Sequence, residues 1–363
     1  MKKLNEKEWQ PKPVAVMFNK LIPGKSKGLN HLKQAETGIN YIGATNRDNG
    51  VLCIVEDDET SSKMVQDGNC IGFIKNGDGS AGYAIYKQEP FISTSDVIYG
   101  YADWLDEDTG LFFVVAQDMI EAKYCHGYKR NKHHLRGDKV MLPVTDSGEP
   151  DYEYMAEYTK QTREKLLSRY REYVAKRIAE LGEEVEIPAL SEKEWKIFRV
   201  GDFFEVSRPI ARNKDAYESG DIPFVASGSM NNGIMKYCTP HDGEYLDAAN
   251  CVTVSPVDGS SFYQPIEFLG RGGAGSSILI LRDSRLNKFN GQFIARLIQQ
   301  TCSKYTYGHM GNKDSIKRER VMFPATDSGE PDYAYMEQYV KNMMLRKYRQ
   351  YLAYLDRQKQ RQE

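Results

Sequence analysis

The chain lacks any apolar run approaching the roughly 18 residues that a membrane-spanning helix needs, so its 363 residues read as a cytoplasmic type of protein. Its first residues, MKKLNEKEWQ, carry two lysines with no apolar stretch behind them, which is not the pattern of a secretory signal. Cysteine is sparse. The six cysteines are scattered and form no Cys-x-x-Cys pair, which argues for reduced structural thiols and against a disulfide frame or a zinc site. An excess of one charge is missing too: 49 Lys and Arg stand against 51 Asp and Glu, a net of −2. Any nucleic acid would have to be held by a local basic surface. What remains is globular material, 40% hydrophobic and 28% charged, enough to build packed cores.

What the chain does have is repetition. VMLPVTDSGEPDYEYMAEY, starting at Val140, returns as VMFPATDSGEPDYAYMEQY, starting at Val321, a shift of 181 residues and about half the chain. LNEKEW (Leu4 to Trp9) returns as LSEKEW (Leu190 to Trp195) at a shift of 186, and INYIGATNRDNG (Ile39 to Gly50) matches IPFVASGSMNNG (Ile222 to Gly233) at 183. Asn69-Cys70-Ile71 matches Asn250-Cys251-Val252, and Lys123-Tyr124 with Asn131-Lys132 matches Lys304-Tyr305 with Asn312-Lys313, all at 181. Small changes in shift mean loop insertions. A period this long exceeds that of solenoid repeats, so each copy is expected to be a domain with its own core.

Within each copy the character of the sequence changes abruptly. Up to about residue 145 it runs in short segments rich in Val, Ile, Phe and Tyr, such as VLCIVED, CIGFIKNGDGSAGYAIY and PFISTSDVIYGYAD, broken by Gly, Asn and Asp. That is strand-and-turn chemistry. GLFFVVAQDMIEAKY and its match GQFIARLIQQTCSKY are read as a helix on the sheet, because Phe293, Ile294, Leu297 and Ile298 fall at helical spacing. After the cassette, Asp151 and Asp332 are good N-caps for long helices. Met155, Leu166, Tyr170, Val174, Ile178 and Leu181 trace an apolar stripe on the first, and Met336, Val340, Met344, Tyr348, Leu352 and Leu355 trace one on the second. Each stripe needs a partner. The simplest is the other stripe, giving an antiparallel pair about 45 Å long at 1.5 Å per residue; the alternative is that each helix docks on its own domain. The expected division of this α/β chain is a strand-rich domain at 1–149, a helix at 150–187, a second strand-rich domain at 188–330 and a second helix at 331–363.

This order resembles a known family. The cassette Leu142-Pro143-x-Thr145-Asp146-x-Gly148-x-Pro150-Asp151-Tyr152-x-Tyr154-Met155, set between a strand-rich domain and a long helix and then repeated, is similar to the specificity subunit of type I restriction-modification systems and of the related type IIB enzymes. Local marks are Asp78-Gly79-Ser80-Ala81-Gly82 followed by Pro90-Phe91-Ile92-Ser93-Thr94-Ser95-Asp96, and Tyr305-x-Tyr307-Gly308-x-x-x-Asn312-Lys313-x-x-Ile316 before Val321-Met322-Phe323-Pro324. The resemblance covers essentially the whole chain. It implies two tandem target-recognition domains in a pseudo-two-fold arrangement, each reading one half of a split site in double-stranded DNA for host defence. It implies helices that space these domains and dock adenine-N6 methyltransferase subunits, which are fused to or joined by a nuclease in some systems. The chain itself would be non-catalytic and without a cofactor, S-adenosylmethionine and Mg2+ being expected on the partner subunits.

The residues bear on that role. KYCHGYKRNKHHLR holds Lys123, Tyr124, Tyr128, Lys129, Arg130, Asn131 and Lys132 without one acid, and its match interleaves Lys304, Tyr305, Tyr307, His309, Asn312, Lys313 and Lys317. Such segments can hold phosphates by charge and set flat polar rings near bases, though a solvated basic loop reads the same. Thr45, Asn46, Arg47 and Asn49 stand where the second copy has Gly228, Ser229, Asn231 and Asn232. Asn suits adenine and Arg suits guanine in the major groove, so unlike residues at matched places imply unlike half-sites. Asn-Gly is equally strong hairpin-turn chemistry. Lys75 and Arg271 are assigned to the same DNA-facing surface.

Catalytic motifs fail on context. Gly270-x-Gly272-x-x-Gly275 is followed by SSILILRDS, a strand, where a dinucleotide fingerprint needs a helix. Asp151, Glu157 and Lys160 sit on a helix start without the close spacing of a nuclease carboxylate set. Cys125, His126, His133 and His134 hint at a metal, but the second copy has Thr306, Tyr307, Asp314 and Ser315 there. No Asn-Pro-Pro-Tyr-like tetrapeptide of an amino-methyltransferase occurs. A tandem-domain enzyme acting on DNA itself and a protein-interaction scaffold stay open as alternatives.

Overall fold

The structure is a computed structural model that describes residues 2–26, 28–77, 79–125, 127–273 and 277–362. Asp78 of the short glycine motif, His126, and Gly275 with Ser276 of the second-copy glycine stretch lie outside the described residues. The chain forms two compact units, Met1–Tyr170 and Arg171–Glu363.

The first unit holds a four-stranded antiparallel sheet in the order Lys20–Pro23, Val97–Tyr101, Cys70–Ile74, Ala84–Lys87. A three-stranded sheet runs Val51–Val55, Gln34–Ile42, Ile92–Ser93, its last strand parallel to the middle one. A two-stranded ribbon pairs Trp9–Pro13 with Lys139–Pro143. The second unit repeats this wiring strand for strand: Glu205–Ser207, Leu279–Arg282, Cys251–Val254, Ser261–Gln264 in one sheet, Ile234–Cys238, Ser219–Val225, Leu269–Gly270 in the next, and Trp195–Arg199 with Arg320–Pro324 as the ribbon. The sequence repeat is therefore a repeat of topology, and the α/β reading holds in both copies.

Continuous apolar runs become strands covered on both faces. Cys70–Ile74 is buried at every position, and Phe73 meets Phe18 and Phe113 edge-on at ring-centre distances of 5.4 and 6.1 Å. Phe113 belongs to the Glu107–Asp118 helix, whose N-cap Asp106 accepts the Thr109 amide at 2.8 Å. The Asn290–Cys302 helix buries Ile294, Ile298 and Cys302 against Val252 and Leu281 in the same way. Each buried Phe or Ile contributes about 1.5–3 kcal/mol.

The long helices are Tyr152–Leu181 and Tyr333–Gln362. Asp151 accepts the Tyr154 amide at 3.0 Å and Asp332 that of Tyr335 at 2.9 Å, as N-caps do. Their first turns belong to their own units, which corrects part of the proposed stripe. Met155 packs in the first core with Phe112 and Leu142, and Met336 in the second with Ile294 and Phe323. Leu166 is 58% exposed and seals nothing; Tyr170 is half-buried. Helix pairing begins beyond these residues, inside the second unit. Arg171 pairs with Asp356 at 2.8 Å, Tyr173 meets Tyr348 edge-on, Leu181 packs with Val340 and Leu345, and Val185 exchanges two hydrogen bonds with Asn342. Partner numbers fall as the first helix advances, so the strands of contact run antiparallel. Val174 is fully buried here, Ile178 and Met344 pack on the Leu181–Leu345 cluster, and Leu352 and Leu355 are half-buried. No helix among the described residues is long and apolar enough to cross a membrane.

Candidate nucleic-acid interface

The basic segments divide into a clamp around a buried acid, whose lysines Lys123 and Lys304 themselves stay exposed, and a rim. In the first unit the clamp centres on Asp138, which is 1% exposed. Lys123 donates to its Oδ1 at 2.8 Å, Tyr124 donates to the same oxygen at 2.7 Å, and Arg130 Nε reaches Oδ2 at 2.9 Å. Arg130 also donates to Gly82 O at 2.9 Å and to Gln117 Oε1 at 2.7 Å, and its guanidinium lies 5.0 Å from the centre of the Phe73 ring. With no exposed surface, Arg130 holds the fold and cannot reach a phosphate. In the second unit Glu319 takes the place of Asp138, with Lys304 at 2.6 Å and the Tyr305 hydroxyl hydrogen-bonded to it. Burial and the bond to the acid push the Tyr305 phenol up to about 12, and the same two causes raise that of Tyr124. Both rings are buried donors, not stacking platforms. The acid at matched positions 138 and 319 was the sign in the sequence for this clamp.

Other members of the expected set also have structural work. Asn131 caps the Lys132–Gly137 helix by accepting the His134 amide at 2.9 Å, and Asn312 caps Lys313–Arg318 by accepting those of Asp314 and Ser315, each at 2.9 Å. Lys75 turns to Ser95 O at 2.9 Å and Asp96 at 3.6 Å. Arg271 is half-buried beyond the parallel strand Leu269–Gly270, its Nε closed from solvent. The rim that stays available is Lys129 and Lys132 in the first unit and Lys313 and Lys317 in the second, none ion-paired among the described residues. Tyr307 is 85% exposed at the tip of the Thr306–His309 turn, while His309 stacks on Tyr305 at 6.0 Å. Tyr128, half-exposed, is stacked between Tyr124 and His134.

Beside each rim stands a hairpin loop. Residues 43–50 are closed by Gly43 N to Gly50 O at 2.9 Å and residues 226–233 by Ala226 N to Gly233 O at 3.0 Å. Both loops turn through a left-handed run, Asp48, Asn49 and Gly50 at φ 49, 50 and 79°, Asn231, Asn232 and Gly233 at φ 50, 56 and 73°. Asn49 donates to Tyr86 O at 3.0 Å and Asn232 to Tyr263 O at 3.3 Å. These two side chains anchor the turn, which removes them from the set free to read bases. Ser80 ties the first loop to its neighbour by donating to Asn46 Oδ1 at 3.0 Å. That neighbour meets the basic segment where Arg130 N donates to Lys75 O at 3.1 Å. In the second unit Gly311 N donates to Pro256 O at 2.8 Å at the equivalent place. Thr45 accepts the Arg47 amide at 3.2 Å, and Ser229 and Asn231 are exposed.

Residues 192–351 match the family model described as the type I restriction modification DNA specificity domain. That stretch of the second copy carries the restriction-modification DNA specificity domain. The chain is 24% identical over 233 residues to the specificity subunit S.BcgI of a type II restriction enzyme from Heyndrickxia coagulans, an alignment that spans 64% of this chain and 66% of that one, just under two thirds of its length. The crystal structure of a type I restriction-modification S subunit from M. genitalium matches with a TM-score of 0.52 at 12% identity, over 98% of this chain and 95% of that chain. The shared feature is the fold.

In each unit rim lysines and a hairpin tip stand exposed on a frame held by the buried acid. The second-copy glycine stretch places Gly270 in a strand. Among the described residues no three His, Cys, Asp or Glu are arranged to hold a metal ion.

Proposed function

We propose that this chain is the non-catalytic specificity subunit of a methyltransferase or methyltransferase-nuclease complex, its two units each reading one half of a bipartite site in double-stranded DNA. The observation that carries this is the pairing of one topology, repeated strand for strand, with hairpin loops of equal length whose exposed residues differ, Arg47 in one and Ser229 and Met230 in the other. A repeated frame gives the same approach to DNA twice, and unlike tips give two sequences. The rim lysines hold phosphates without regard to sequence. Adenine-N6 methyltransferase subunits, with S-adenosylmethionine and Mg2+ on them and a nuclease fused or joined to them, dock on the long helices. The type I and type IIB organisations both accommodate this chain.

The test is methylation mapping in cells carrying the chain with its methyltransferase partner, before and after residues 1–149 are exchanged for those of a relative. One half of the methylated motif is expected to change. A change in both halves, or methylation that persists without this chain, overturns the reading.

A further inference from the structure

The two hairpin loops, once their structural residues are set aside, leave few side chains free to choose a base, Arg47 in the first and Ser229 with the larger Met230 in the second. Positions 48–50 and 231–233 are fixed by the backbone, since Asp, Asn and Gly are the residues that tolerate a left-handed φ. Asn49 and Asn232 are bonded to the neighbouring strand, and the Asn231 amide turns back to Ile234 O at 3.1 Å. In the first loop Thr45 caps Arg47 N and Asn46 accepts from Ser80. In the second, Gly228 has no side chain and Ser227 donates to Ser277 O at 2.6 Å. The residue immediately before the left-handed run is Arg47 in the first unit and, at the matched shift of 183, Met230 in the second.

Both project from a tethered backbone. Met230 is 67% exposed, while its own carbonyl is held by Gly233 N at 2.9 Å. Arg47 is exposed and makes no ion pair among the described residues. We propose that this matched position is the base-specifying residue of each hairpin: Arg47 reads the two acceptors of a guanine in one half-site, and Met230 packs on the C5-methyl group of a thymine in the other. The proposal rests on the DNA-reading function given above and adds to it which residue chooses and what chemistry it chooses. A guanidinium fork matches guanine O6 and N7, and an apolar contact is the means of detecting the thymine methyl in the major groove.

The experiment is selection from a randomised duplex library by the full chain with its methyltransferase partner, using wild type, Arg47→Met and Met230→Arg. Arg47→Met is expected to lose a guanine preference at one position of one half-site by tenfold or more, about the worth of a bidentate contact, with the other half unchanged. Met230→Arg is expected to convert one thymine position of the other half to guanine. In a second arm, duplexes of the selected site with uracil in place of thymine should bind wild type about four-fold more weakly per buried methyl lost. Met230→Ala should abolish that sensitivity at a single position. Unaltered base preferences in both exchange variants would overturn the proposal while leaving the specificity function intact. So would a loss of affinity for all sequences alike, with folding unchanged by circular dichroism. Failure of the wild-type complex to select any sequence would instead sink the function on which the proposal rests.

Discussion

Changing Arg130 to alanine separates a clamp from a phosphate contact, because the two roles call for opposite pairs of results. The side chain is wholly buried and spends its donors on Asp138, Gly82 and Gln117. Removing one partner of a buried ion pair costs about 3–5 kcal/mol, since the remaining charge stays in a low-dielectric site. Two features pull the expected loss toward the lower end. Asp138 keeps Lys123 and Tyr124, and Gly82 O keeps the Gln117 Nε2 donor at 2.9 Å. The empty volume beside Phe73 pulls it back up. A loss near 3 kcal/mol is a large share of the 5–15 kcal/mol that typically holds a domain together.

The assay is urea unfolding of the full chain followed by tryptophan fluorescence, with Trp9 and Trp104 in the first unit and Trp195 in the second. The first-unit transition should move to lower urea while the second stays. Below that transition, DNA affinity and its salt dependence should match wild type. Lys129→Ala, on the exposed rim, should do the reverse, holding stability within about 0.5 kcal/mol and weakening binding to all sequences with about one unit less salt slope. Arg130→Ala with unchanged stability and a flatter salt dependence would refute the clamp.

Val174→Asp should destabilise the second unit by several kcal/mol, because the side chain is fully buried, whereas Leu166→Asp, at a position 58% exposed, should stay within about 0.5 kcal/mol; thermal unfolding of the two variants checks the contrast. Burial pushes the Asp118 carboxyl up to about 6, so the folded state holds its proton more tightly than the unfolded chain and this group's contribution to stability is lost as pH rises from about 4 through 6. Asp118→Asn, which can still accept the Ala84 amide, should gain on wild type across that window, read as urea midpoints at pH 4.5 and 8. Asn232→Ala should cost about 1–2 kcal/mol, from a lost hydrogen bond and a left-handed Cβ, and Asn232→Gly should recover the backbone part, measured by the same unfolding curves.

Much of the fold was legible because it was written twice. The strand-rich segments, the Glu107–Asp118 and Asn290–Cys302 helices and the two long helices with their Asp caps all answer to local signals of turn chemistry, apolar spacing and capping. What misled was the meaning of recurrence. Lys123, Tyr124, Lys304 and Tyr305 recur because a buried acid needs its donors in both copies, and Asn131 and Asn312 recur because a helix start needs a cap. A window of sequence shows their charge and polarity but not the acid that folds back onto them. The helix stripe failed at its first turns for a related reason. Helical spacing says that Met155 and Met336 share a face with later residues, while which body covers that face is settled by tertiary packing. Asn342 and Leu345 lay outside the stripe and do much of the sealing within the second unit.

The division between clamp and tip has a consequence for how specificity can change. Residues that hold the frame, such as Arg130, Asp138 and Glu319, lie in networks where one substitution costs several kcal/mol, and so they are shielded from drift by stability alone. Arg47, Ser229, Met230, Lys129 and Lys313 are not buried in the fold, so substitutions there are expected to shift stability by about 0.5 kcal/mol or less. On the proposed function, a base preference worth about 1–3 kcal/mol is exchangeable at the tip without approaching the unfolding threshold. The left-handed turn is what makes this safe: Asn49-Gly50 and Asn232-Gly233 fix the loop by backbone and by bonds to the adjacent strand, so the residue in front of it can be Arg in one copy and Met in the other on the same closing hydrogen bond.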